Sequence, residues 1–172
     1  MKLSGKKIAL LVEDGYNELE FWYPKIRMEE EGAEVLVVGP EKRTFIGKEC
    51  MKATAQYTPK DLDPNDLDAL IIPGGHAPDR LRRHEDILEL VRKMDEMKKI
   101  IAFICHAGHV LISAGIVKGR KLTGFFSIKD DLINAGAVYL DEAVVVDENL
   151  ISSRDPRDLP HFCRAIIEKL SV

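Results

Sequence analysis

Cysteine is scarce in this chain. Cys50, Cys105 and Cys163 are the only three among 172 residues. None stands in a CxxC spacing and the count is odd, so no disulfide framework is encoded; the expected compartment is reducing, the cytoplasm. Amides are few as well: four Asn and one Gln against 31% charged residues, a balance met in heat-adapted proteins. Positive charge is not in surplus. The net charge is −4, and the short Lys118-Gly119-Arg120-Lys121 run reads as a solvated loop, so no nucleic-acid partner is expected. Long apolar runs are missing too. Ile8 to Val12 is stopped by Glu13-Asp14, too short for a signal peptide or a membrane span. No linker, internal repeat or low-complexity segment interrupts the chain.

What is present is core material. Hydrophobic residues make up 45% of the chain, enough for one domain over residues 1–172. Short apolar runs at 7–12, 34–38, 69–72 and 100–104 read as buried strands. They alternate with segments of helical period at 16–31, 85–99, 107–115, 127–135 and 159–170. In the first of these, Leu19, Trp22, Tyr23 and Ile26 supply the apolar positions. A hairpin is expected over 44–55 around Gly47-Lys48, and further short strands at 121–125, 138–140, 143–146 and 150–152. Strands alternating with helices predict an α/β fold with a mostly parallel sheet covered by helices on both faces. Sites in such sheets lie beyond the carboxyl ends of the strands. Asp14-Gly15, Gly74-Gly75 and Cys105 each follow a strand, so they can share one crevice.

Cys105 is the candidate nucleophile. It stands where a buried strand turns into a helix, facing free N–H groups that favour the thiolate. His106 follows it, inviting a Cys–His dyad. Adjacent residues entering a helix point about 100° apart, however, so the ring is as well placed to face away from the sulfur as towards it. Gly74-Gly75 lets backbone N–H groups approach a substrate; with those near Cys105-His106 they form a candidate oxyanion hole. Cys105, His106 and His109 find no further ligand at suitable spacing, so no metal is expected. Cys50 in the hairpin and Cys163 on the last helix read as structural. By pattern alone, Glu20 is a helix-surface acid like any other.

Several blocks taken in order resemble one family. They are Glu18-Leu19-Glu20-Phe21-Trp22-Tyr23-Pro24, Asp68 to Asp79 with Pro73-Gly74-Gly75-His76-Ala77-Pro78, Ala102-Phe103-Ile104-Cys105-His106, Ile128 to Gly136, and Val144 to Asp147 with Ser152-Ser153-Arg154. Nearly end to end, the chain is similar to the PfpI/ThiJ family of the class I glutamine amidotransferase-like superfamily. The resemblance implies a flavodoxin-like three-layer sandwich with the nucleophile, Cys105, on an elbow. It implies that Glu20 hydrogen-bonds the thiol and that Gly75 belongs to an oxyanion hole. It also implies a homo-oligomer, dimer or hexamer; in the hexamers the acid at the position of Asp79 orients the histidine across a subunit interface. Close relatives carry Glu there, one methylene longer. Phe125 stands where the family often has Tyr.

Three functions follow from that resemblance. The first is cofactor-independent carbonyl chemistry, a glyoxalase III or protein deglycase taking methylglyoxal or its protein adducts to lactate. The second is an intracellular cysteine protease or amidase acting on peptides. The third is a redox-sensing or chaperone-like stress protein, whose thiol would oxidise.

Overall fold

Apolar β-branched runs too short for helices become the centre of one sheet. A computed structural model describes all 172 residues. The strands of the main sheet are β1 (Lys7–Leu11), β2 (Glu34–Val38), β5 (Ala69–Ile72), β6 (Ile100–Ile104), β9 (Val145–Asp147) and β10 (Leu150–Ser153). Their order is β2-β1-β5-β6-β10-β9. All neighbours run parallel except the β10–β9 edge pair. The residues of β5, β6 and β10 are buried throughout, as a sheet covered on both faces requires. Helices α1 (Glu18–Glu30) and α6 (Leu159–Leu170) pack together in one layer. Helices α2 (Ala77–Leu81), α3 (Glu85–Glu96), α4 (Gly108–Ala114) and α5 (Lys129–Asn134) form the other. The expected flavodoxin-like sandwich is therefore the observed fold.

Outside the sheet, β3 (Thr44–Ile46) and β4 (Lys52–Thr54) form the expected antiparallel hairpin. Strands β7 (Lys121–Leu122) and β8 (Val138–Tyr139) form a separate parallel ribbon. The strand expected over 121–125 stops early because the chain turns toward the elbow: the Phe125 N–H donates to the Cys105 carbonyl at 3.0 Å. Helix α3 ends at Glu96 rather than at residue 99, and Lys98 just beyond it has φ +56°. Helix α2 was not expected. Arg120 is no solvated loop residue; it is held by Asp95 at 3.1 Å and Asn149 at 2.7 Å.

The largest departure lies on α1. Asn17 caps it by accepting from the Glu20 N–H. Its inward face is Glu18, Glu20, Phe21, Pro24 and Met28. The supposed apolar face points outward: Leu19 is 61% exposed, Ile26 60% and Tyr23 41%. The helix turns two carboxylates inward because the site and the hairpin loop claim them.

Candidate active site

Three loops meet at the carboxyl ends of β1, β5 and β6, which are hydrogen-bonded neighbours in the sheet. The loop after β6 is a true elbow. Cys105 has φ +62°, a left-handed conformation costing a non-glycine residue about 1–3 kcal/mol. One turn of 3₁₀ helix, Cys105–Ala107, then leads into α4. The loops after β1 and β5 are clipped together: the His76 N–H donates to the Gly15 carbonyl at 2.8 Å, and the Asn17 N–H to the Gly74 carbonyl at 3.1 Å.

Glycine is required at both positions of the β5 loop. Gly75 has φ +82°, and a Cβ there would lie 2.5 Å from the Gly15 carbonyl oxygen and 2.6 Å from the Asn17 nitrogen. A Cβ on Gly74 would lie 2.7 Å from Glu20 Oε1 and 2.8 Å from Cys105 Cβ. The two residues have different duties. The Gly74 N–H donates to Glu20 Oε1 at 3.2 Å, so the expected two-glycine oxyanion hole loses one member. The Gly75 and His106 N–H groups are the ones that face the sulfur.

Glu20 is not a surface acid; it is fully buried. Its Oε1 accepts from Gly74 and its Oε2 has no hydrogen-bond partner. Burial pushes its pKa up to about 8, against smaller opposing effects from the Gly74 N–H and the Lys48 charge. The carboxyl is protonated at neutral pH, with Oε2 free to carry the proton.

The thiol itself corrects an expectation. Its position at a helix start predicts easy ionisation, yet burial first, and the Glu20 carboxylate second, push Cys105 up to about 12. Only 8% of the residue is exposed, and in so dry a place desolvation of the thiolate outweighs two N–H groups. With Glu20 protonated, that second cause vanishes and burial, with a smaller effect of the Asp155 charge, opposes the thiolate.

His106 does not face away. Its Nδ1 lies 3.3 Å from Cys105 Sγ. Burial, aided by the neighbouring His109, His76 and Lys48 charges, holds its pKa below the usual histidine value, so the ring is neutral at neutral pH. Ser127 Oγ stands 3.2 Å from Nε2. If Nε2 carries the ring hydrogen and donates to Ser127, the Nδ1 lone pair is left to accept the thiol proton. Phe125 stacks on the same ring, centroids 5.1 Å apart. Asp79, by contrast, does not touch His106 within the chain; it pairs with Arg83, just beyond the end of α2, and lines the same cleft.

Two site residues escaped sequence reasoning. Ser127 looked like the first residue of a helix. Lys48 looked like a hairpin tip; the structure pins that tip to α1, with Glu18 Oε2 accepting from the Glu49 N–H at 2.8 Å. Of the other cysteines, Cys163 is buried as expected, but Cys50 is exposed. His109 pairs with Asp131 at 3.1 Å. No group of three or more His, Cys, Asp or Glu side chains is arranged to hold a metal ion, and no helix is long and apolar enough to cross a membrane.

The chain is similar to known proteins over nearly its whole length. Deglycase PfpI of Pyrococcus furiosus is 42% identical over 164 residues, covering 95% of this chain and 99% of that protein. YraA of Bacillus subtilis, whose name proposes a cysteine protease, is 41% identical over 166 residues, covering 96% and 98%. Among solved structures, Drosophila melanogaster DJ-1beta superposes with a TM-score of 0.91 at 27% identity, covering 96% and 90%. A two-domain protein from Anabaena variabilis superposes with a TM-score of 0.94 at 40% identity. This chain spans about half of that protein (48%), which also carries a ferritin-like domain. The DJ-1/PfpI family profile matches residues 6–169, and the chain belongs to that family.

Proposed function

We propose that this protein is a cysteine-dependent deglycase and glyoxalase III, converting α-oxoaldehydes and their amine adducts to 2-hydroxy acids without a cofactor. The observation that carries the reading is the pairing of Cys105 Sγ with a neutral His106 Nδ1 at 3.3 Å, beside a carboxyl, Glu20, whose pKa stands near 8. The deglycase names of relatives about 42% identical support it.

The residues divide the work. As Sγ attacks the aldehyde carbon of methylglyoxal, the thiol proton passes to His106 Nδ1, and the Gly75 and His106 N–H groups steady the developing alkoxide. The product is a hemithioacetal. Moving the C1 hydrogen as a proton to C2, with Glu20 and His106 as carriers, gives a thioester of lactate. Water then cleaves the C–S bond and restores the thiol. Methylglyoxal plus water becomes lactate; the aldehyde carbon is oxidised, the ketone carbon reduced, and no outside electron carrier is needed. On a protein adduct the amine leaves when the thiol displaces it.

Incubation with methylglyoxal, following D- and L-lactate, tests this on wild type, Cys105→Ser and Glu20→Gln. Wild type is expected to make lactate and both variants to lose most of it. Absence of lactate and of adduct loss in wild type would end the reading. Glu20→Gln is expected to impair turnover more than Asp79→Asn, because Glu20 works within one chain; a reversed order would contradict that.

The Cys–His contact also fits peptide hydrolysis, and the name of YraA points the same way. Casein and a fluorogenic peptide run in parallel decide it, cleavage having to vanish in Cys105→Ser. The redox-sensor reading gains no support from a thiol pushed up to about 12, since the thiolate is the form that oxidises. The exposed Leu19, Tyr23 and Ile26 on one face of α1 support the homo-oligomer. Sedimentation velocity on wild type and Ile26→Glu tests that.

A further inference from the structure

The cleft beside the thiol is built for charge. Its volume is about 390 Å³, and it opens between Gly75 and His106, with His76, Asp79, Arg80, Arg83 and His109 as its other walls. No hydrophobic side chain lines it. The bare methyl group of methylglyoxal finds nothing apolar to bury against.

The charges do not cancel. Two guanidinium groups face one carboxylate. Asp79 is matched by Arg83, its ion-pair partner. Arg80 is left over: its guanidinium makes no hydrogen bond or ion pair within the chain. On its far side it borders a second cleft with Glu13, Asp14, Glu41 and Arg43. Those acids share Arg43, at 3.5 Å from Glu13, 3.0 Å from Asp14 and 3.2 Å from Glu41, and the Arg80 charge also acts on Asp14 from beyond ion-pair distance. The histidines add no negative charge; the Nε2 atoms of His109 and His106 are already engaged by Asp131 and Ser127, and His76 has no such partner. A guanidinium whose planar donors are all free, flanked by imidazoles, matches a carboxylate or a phosphate.

We infer that this cleft binds an anionic group on the substrate, so that the preferred substrates are α-oxoaldehydes bearing a carboxylate or phosphate beyond the ketone, with Arg80 as the main anchor. The substrate class rests on the carbonyl chemistry proposed above; the anion cleft does not. For 4,5-dioxopentanoate the reaction balances as for methylglyoxal. The aldehyde carbon is oxidised to a carboxylate, the adjacent ketone is reduced to a carbinol, and one water is consumed, giving 2-hydroxyglutarate.

Two measurements on the full-length protein test the inference. In the first, kcat/KM is compared for 4,5-dioxopentanoate and methylglyoxal, in wild type and Arg80→Gln. Wild type is expected to favour the anionic substrate about tenfold or more, and the ratio to collapse in the variant. Equal kcat/KM for the two substrates in wild type would overturn the assignment. The second needs no turnover: the rates at which iodoacetate and iodoacetamide alkylate Cys105, read by peptide mass spectrometry. The iodoacetate-to-iodoacetamide ratio is expected to fall severalfold in Arg80→Gln. An unchanged ratio would overturn the cleft. If neither aldehyde is converted while the alkylation ratio falls, the carbonyl reading fails, and with it the substrate class, and the anion cleft stands. Protection against iodoacetate by inorganic phosphate, compared with protection by succinate, separates phosphate from carboxylate as the better occupant.

Discussion

Glu20 holds a proton that an exposed glutamate would have lost. Its ordinary value is 4.5 and burial raises it to about 8. The folded chain therefore binds this proton while the unfolded chain, above pH 4.5 or so, has released it. The resulting stability is fully present below the unfolded value, falls as pH rises through the window, and levels off above about 8, with an upper bound of ~5 kcal/mol. Glu20→Gln keeps an acceptor for the Gly74 N–H and cannot ionise. Thermal melts from pH 5 to 9 are expected to show the variant gaining on wild type as pH rises; a gap independent of pH would contradict the buried proton. Turnover that needs protonated Glu20 is expected to decline above pH 8. Ser127 is the other residue with a distinct signature. Ser127→Ala frees the His106 tautomer, and kcat is expected to fall about tenfold with little change in KM. A change in KM alone would remove Ser127 from the positioning of that ring.

At the scale of elements, a methyl on each of the two glycines after β5 would meet different neighbours. Gly75→Ala puts a methyl into backbone atoms of the β1 loop at 2.5–2.6 Å, at a φ of +82°. It is expected to cost more than ~2 kcal/mol in urea unfolding, because the clip between two loops must open. The nearest contacts of a Gly74 methyl are instead the Glu20 carboxyl and Cys105 Cβ. Gly74→Ala is expected to cost less stability and to change the rate and pH dependence of Cys105 alkylation. The reverse order would show that the clip is not what holds the site. This division was not legible from Pro73-Gly74-Gly75 as letters, since it depends on which neighbour each missing Cβ admits. The elbow was legible, because a short buried strand running into a helix start leaves few alternatives. The face of α1 was not. Leu19, Tyr23 and Ile26 follow a helical stripe, and the period reports a face without saying which way it looks. Glu18 and Glu20 turn inward because loop N–H groups at Glu49 and Gly74 give buried carboxyls partners, and those partners lie far away in the sequence.

Across the whole molecule, the alternation of strand and helix specified the layers, and the parallel order brought the Asp14, Gly74 and Cys105 loops to one end. What sequence order does not encode is the composition of the cleft, where Arg80 on α2 meets His106 and His109 from the next βα unit. The same topology has a thermal consequence. The loops of the site hang from β1, β5 and β6, interior strands of the sheet, whose residues are nearly all fully buried. Such strands belong to the last part of a domain to open. The site therefore has no softer region of its own in which to melt, and β6 cannot release its elbow while β5 and β10 remain zipped to it. Heat inactivation and loss of helical circular dichroism are expected to share one midpoint, and activity lost several degrees earlier would refute the coupling. For this chain the temperature ceiling of catalysis is then the ceiling of the fold, and residual activity after heating counts the molecules still folded.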